Sequence, residues 1–239
     1  MFFGYFDYLL FILPALALGL WAQILVKTRF SKFSKIASRR GITGAQAARM
    51  VLESGGVHNV AIGAISGNLT DHYDPRNNSI SLSAPVHNST SVAAIGVAAH
   101  EAGHALQYAY NYSPIKLRMA ILPVCRIGSM IGPLLIVIGC ALSYAAESVN
   151  VELGQAMYFA GLILFSAVAL FQLVTLPVEL DASRRALAAL EGTNMLDSRE
   201  LGGAKKVLTA AALTYVAALV TSIMQILYYA SRFRPNDRN

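Results

Sequence analysis

The chain has 239 residues, of which 55% are hydrophobic and only 13% charged, with a formal net charge of +6 and a mean hydropathy of +0.51. Soluble domains carry about 25% charged residues, so the composition argues against one and points to a chain embedded in a bilayer. The basic excess lies beside apolar runs, where it suits anionic lipid, and nothing in the sequence resembles a nucleic-acid-binding module.

Four runs, residues 5–26, 119–144, 154–178 and 207–230, are apolar enough to cross a hydrocarbon core that needs roughly 20 residues. The N-terminal segment 1–26 is expected to be a retained anchor and not a signal peptide. Asp7 stands where a basic residue would be, and no small-residue cleavage site precedes Lys27.

Lys27, Arg29, Lys32, Lys35, Arg39 and Arg40 follow the first run, and Lys116 and Arg118 precede the second. Glu147 and Glu152, without Lys or Arg, separate the second and third; Arg184, Arg185, Arg199, Lys205 and Lys206 separate the third and fourth. The positive-inside rule then places residues 27–118 and 179–206 on the cytoplasmic side and both termini outside. Arg232, Arg234 and Arg238 in the tail, residues 231–239, point the other way but are outnumbered. Cys125 and Cys140 both fall in the second run, which predicts free thiols and no disulfide.

Residues 27–118 suffice for a small α+β domain. Thr43 has the chemistry of an N-cap for a helix through about Glu53, with Gly55 and Gly56 ending it. Residues 57–65 read as a strand, residues 67–78 as a loop with a turn at 74–78, and residues 79–83 as a second strand. This second strand is either an exposed edge that could pair with an extended peptide or one arm of a hairpin closing the domain.

A helix follows over residues 91–110, and it holds His100-Glu101-Ala102-Gly103-His104. Residues i and i+4 of a helix lie on one face, so both histidines can present a ring nitrogen to one ion, with Glu101 carried round toward a water on it. Zinc held by imidazoles lowers the pKa of bound water toward about 7 and polarises a carbonyl, and a neighbouring carboxylate can move the proton to the leaving amine. A short motif also arises by chance. Two histidines and a glutamate would, however, be costly to bury in an Ala-rich helix without a partner. The small residues Ala102, Gly103 and Ala105 let other chain segments come close. The helix is expected to pack within the cytoplasmic domain, because crossing the bilayer would set its basic flanks on opposite sides.

Catalytic zinc takes three protein ligands and leaves a position for water. The third is expected from Leu176-Pro177-Val178-Glu179-Leu180-Asp181, just past the third run and on the same side of the membrane as His100. Either Glu179 or Asp181 could reach the metal. Glu179 is the expected ligand, with Asp181 orienting a ligand or pairing with Arg184 or Arg185. The bland alternative makes both acids first-turn residues of a helix begun near Pro177, where they would complement its dipole. His72 and Tyr73 are candidates for stabilising an oxyanion or touching substrate, against the simpler reading that Asp71 and Asp74 stabilise a turn with His72 as their solvated neighbour.

The runs Leu69-Thr70-Asp71-His72-Tyr73-Asp74-Pro75, Val97 to Gln107 and Leu176 to Ala186 resemble those of the bacterial neutral zinc metallopeptidases of YugP type, over essentially residues 41–229. The resemblance implies a membrane-bound gluzincin with one zinc ion on His100, His104 and Glu179, and Glu101 as catalytic acid and base. It extends distantly to the HtpX and CAAX-prenyl-protease group, whose ligand glutamate is followed four residues on by an aspartate; here Ser183 holds that position.

The expected protein is therefore an all-α-dominated polytopic membrane protein, with about four transmembrane helices and a small zincin-like domain on the cytoplasmic side. It would be a zinc endopeptidase of the cell membrane acting on proteins or peptides, with membrane-protein quality control as the expected setting. The alternative is a zinc-stabilised scaffold without turnover. An ion transporter ranks last, since the apolar runs carry almost no acids.

Overall fold

The computed structural model describes residues 2–144 and 151–232; Glu147, Arg234 and Arg238 lie outside the described residues. In chain order the elements are α1 (Phe2–Phe33), α2 (Gly44–Ser54), β1 (Ala61–Ile65), β2 (His72–Asp74), β3 (Ser79–Ser83), α3 (Ala84–His87), α4 (Val92–Ala109), α5 (Ser113–Tyr144), α6 (Val151–Gly192) and α7 (Ser198–Arg232). They fall into two compact units, one of Met1–Leu20, Leu117–Thr175 and Tyr215–Asn239, the other of Trp21–Lys116 and Leu176–Thr214.

Helices α1, α5, α6 and α7 are long and apolar enough to cross a membrane, in agreement with the four expected runs. Three of them extend well past those runs: α1 continues to Phe33, α6 to Gly192, and α7 starts at Ser198, before residue 207. Extending a nucleated helix adds one hydrogen bond per residue without a new nucleation cost, and the Ala, Leu and Arg after Asp181 are good helix formers. Pro177 consequently lies inside α6 and starts no new helix. This overturns the first-turn reading of Glu179 and Asp181, which sit mid-helix; Pro177 only withholds the N–H that would have bonded one turn back.

In the first unit α5 and α6 meet backbone to backbone. A Cβ on Gly128 would lie 2.2 Å from the Leu164 carbonyl oxygen, and one on Gly139 would lie 2.5 Å from the Tyr158 nitrogen. Such contacts let apolar helices associate by close packing where no hydrophobic force acts between them. Ile136, Tyr158 and Phe165 form the buried cluster of this unit, and the Tyr158 hydroxyl donates to the Tyr229 carbonyl of α7 at 2.6 Å. Cys125 and Cys140 are free thiols, as expected.

The second unit holds a three-stranded sheet of order β1-β3-β2, with β1 parallel and β2 antiparallel to β3. The strand expected over residues 79–83 is therefore central. It cannot serve as an open edge, and the edges are β1 and β2. The hairpin alternative holds for β2 and β3, whose connection is tightened by Asp74 accepting from the Arg76 backbone N–H at 2.9 Å, with Asn78 at φ 48°. The loop expected over residues 67–78 contains the short β2, and the strand expected from residue 57 begins only at Ala61.

Ile80 and Leu82 of β3 are fully buried under a core that includes Val51 and Leu52 of α2 and Ile95 and Ala98 of α4. Helix α2 starts on a capping box: the Thr43 hydroxyl accepts from the Gln46 N–H while the Gln46 side chain accepts from the Thr43 N–H.

Candidate metal centre

Helix α4 is apolar nearly all round because it is buried nearly all round, from Val92 to Gln107 with few exceptions. Ser91 caps it by accepting from the Ala94 N–H at 3.2 Å. On this helix the rings of His100 and His104 lie edge to face, with centroids 4.7 Å apart.

α6 comes close to α4 at one position. A Cβ on Gly103 would lie 2.4 Å from the Ala182 carbonyl oxygen, so a residue without a side chain is required there. The approach brings Glu179 to the histidines. Its Oε2 lies 3.2 Å from Nε2 of His100 and 3.5 Å from Nε2 of His104. One ligand atom from each of the three residues falls within 4.8 Å of the others, and among the described residues no fourth His, Cys, Asp or Glu joins them.

These separations can be tested against a metal. Ligands at about 2.05 Å in a tetrahedron stand about 3.3 Å from one another, the spacing at which Glu179 Oε2 meets the two imidazole nitrogens. Two imidazoles and one carboxylate are also a donor set that catalytic zinc takes. The residues present therefore fit the ion.

The other ring nitrogens are engaged. Nδ1 of His100 lies 3.1 Å from Ser183 Oγ, and Nδ1 of His104 lies 3.0 Å from Gln107 Oε1. Burial alone would lower the pKa of His104, but the Glu179 carboxylate, with Glu101 and Gln107 behind it, outweighs burial and holds it above the ordinary histidine value. The pocket thus favours positive charge at this point.

Glu101 is 8% exposed and makes no hydrogen bond or ion pair among the described residues. Asp181 lies outside the ligand group. Its carboxylate accepts from Gln107 Nε2 at 3.0 Å, from Arg185 Nε at 2.6 Å and from Arg184. The Arg185 guanidinium in turn sits over the Tyr110 and Tyr112 rings at 5.7 and 5.6 Å.

His72 and Tyr73 lie on β2. His72 is exposed, with Nδ1 2.9 Å from the Thr70 carbonyl. The Tyr73 hydroxyl donates to Asn78 Oδ1 at 2.9 Å, and its ring packs against Tyr108 of α4 at 5.5 Å. Burial, then Tyr108 and Asp74, push the Tyr73 phenol up, which keeps it a donor. Asp71 holds Ser83 through its backbone N–H at 2.7 Å and its hydroxyl, and Asp74 holds Arg76.

Sequence reasoning missed Gln107 as part of the site. The available signal was a lone amide three residues after His104, on the same helical face of an otherwise apolar helix.

Comparison with known proteins points to a family named for zinc. The family described as "putative neutral zinc metallopeptidase" matches residues 8–234. A Bacillus subtilis (strain 168) protein named "putative membrane protease YugP" is 42% identical over 221 residues, covering 92% of this chain and 94% of its own. No solved structure matches the chain.

Proposed function

The chain belongs to the family described as putative neutral zinc metallopeptidases, and on that premise we propose that it is a membrane-bound zinc endopeptidase. His100, His104 and Glu179 hold one zinc ion and Glu101 is the acid and base. The observation that carries this reading is the pair of Nε2 to Oε2 separations, 3.2 and 3.5 Å, which suit the edges of a tetrahedral zinc site.

When bound there, zinc supplies Lewis acidity toward a scissile carbonyl and acidifies a water. The Glu101 carboxylate, buried on the same helix and acting electrostatically on His104, would accept a proton from an attacking water and pass it to the leaving amine. The three-ligand set favours catalysis over a structural role, because a structural zinc site is closed by a fourth protein ligand.

Substrate lies along β2. This edge strand has one side paired to β3 and packs on α4 through Tyr73 and Tyr108, so a peptide pairing with it by main-chain hydrogen bonds would carry its carbonyl over the HExxH helix. The basic residues of segments 27–118 and 179–206 support a cytoplasmic orientation, with substrates drawn from proteins at the inner membrane surface, as in membrane-protein quality control.

Glu101→Gln tests the reading. In purified full-length protein it is expected to lower hydrolysis of a casein-like substrate by about 10²–10⁴-fold while zinc stays bound. Full activity in that variant would overturn the proposal.

A further inference from the structure

We infer that Gln107 is a positioning residue that dictates which nitrogen of His104 faces the metal, and that Asp181 reaches the site only through it. The inference rests on the zinc-peptidase reading above and deepens it.

Gln107 is fully buried on α4, three residues after His104. Its amide has one donating and one accepting end, and its surroundings decide which is which. The nitrogen stands 2.8 Å from the Val178 carbonyl oxygen and 3.0 Å from Asp181 Oδ2. A carbonyl can only accept, and a carboxylate held by two guanidinium groups, Arg184 and Arg185, is an acceptor as well. Reversing the amide would set its oxygen against both. The oxygen therefore faces His104, 3.0 Å from Nδ1, where it can only accept.

His104 must then carry its neutral-state proton on Nδ1, which leaves the Nε2 lone pair aimed at the ligand cluster. The chain of control runs from Arg184 and Arg185 through Asp181 and Gln107 to His104. His100 is treated differently. Its Nδ1 meets the Ser183 hydroxyl, a rotor that can donate or accept and so imposes no tautomer. The two histidines look equivalent in the motif, yet only His104 is locked.

The test measures zinc affinity of the purified full-length protein by chelator competition at pH 8, together with the visible spectrum of the cobalt-loaded form. Gln107→Leu is expected to weaken zinc binding about 10–100-fold and to shift the cobalt bands. Gln107→Glu sets a carboxylate against Asp181 and should also bind more weakly. Adding Asp181→Asn restores one donor facing residue 107, with the Val178 carbonyl unchanged, so the double variant should regain part of the loss.

Zinc affinity of Gln107→Leu within about threefold of wild type would overturn the inference, as would a double variant no tighter than Gln107→Glu alone. If Gln107→Leu does not fold, the Gln107→Glu pair decides. A wild-type protein that binds no zinc overturns the underlying zinc reading, whereas zinc-binding wild type with an unaltered Gln107→Leu overturns this inference alone.

Discussion

Gly103 of α4 and Ala182 of α6 are in backbone contact: a Cβ added to the glycine would stand 2.4 Å from the alanine carbonyl oxygen. The neighbouring atom is main chain and cannot swing aside. Since Glu179 is one turn from Ala182 on the same helix, the spacing of its carboxylate from the two histidines depends on this contact. Gly103→Ala is expected to cost about 1–3 kcal/mol of stability through overpacking and to weaken zinc binding. Thermal unfolding and chelator competition measure the two effects, and a variant that binds zinc like the wild type contradicts the account.

Glu179 and Asp181 are two residues apart, and the structure gives them different neighbours. Glu179→Gln should abolish stoichiometric zinc in the purified protein, because the carboxylate oxygen shared by both histidines is replaced by a weaker ligand. Asp181→Asn should retain zinc with reduced affinity. Metal analysis after gel filtration separates the cases, and the reverse pattern would move the ligand to Asp181.

Metal removal supplies a third expectation. Treatment with a zinc chelator should stop proteolysis, and restoring zinc should recover it. At zinc about 100-fold above its Kd, the holoprotein gains about 2.7 kcal/mol over the apoprotein, so its unfolding temperature should rise with added zinc. An unchanged melting curve with and without chelator would contradict a site bridging α4 and α6.

The Tyr73 hydroxyl is committed to Asn78 at 2.9 Å. Tyr73→Phe should therefore reduce kcat by far less than the about 10²–10³-fold that loss of an oxyanion donor costs. A drop of that size would place the phenol at the reacting carbonyl.

Local chemistry was readable where a few neighbouring residues decide it. Thr43 marks a helix start that the structure keeps, and the helix expected over residues 91–110 is found at Val92–Ala109. The common face of His100 and His104 follows from their spacing alone. Strand order does not: β1 pairs with β3 across the intervening β2, and nothing in residues 79–83 distinguishes a central strand from an edge. Pro177 misled for a physical reason, since a proline inside a long apolar helix costs one hydrogen bond that tertiary packing can offset. The Ser183 and Gln107 contacts depend on how closely α4 and α6 approach. That distance is set by Gly103, whose smallness was visible but whose partner was not.

The separation of the ligands along the chain has a temporal consequence. His100 and Glu179 are 79 residues apart, so a ribosome delivers the histidine pair and Glu101 well before it delivers the carboxylate that completes the cradle. A nascent chain halted before α6 holds the signature motif and no finished centre. Such a chain carries both histidines of the cluster but lacks the Glu179 carboxylate that lies against them.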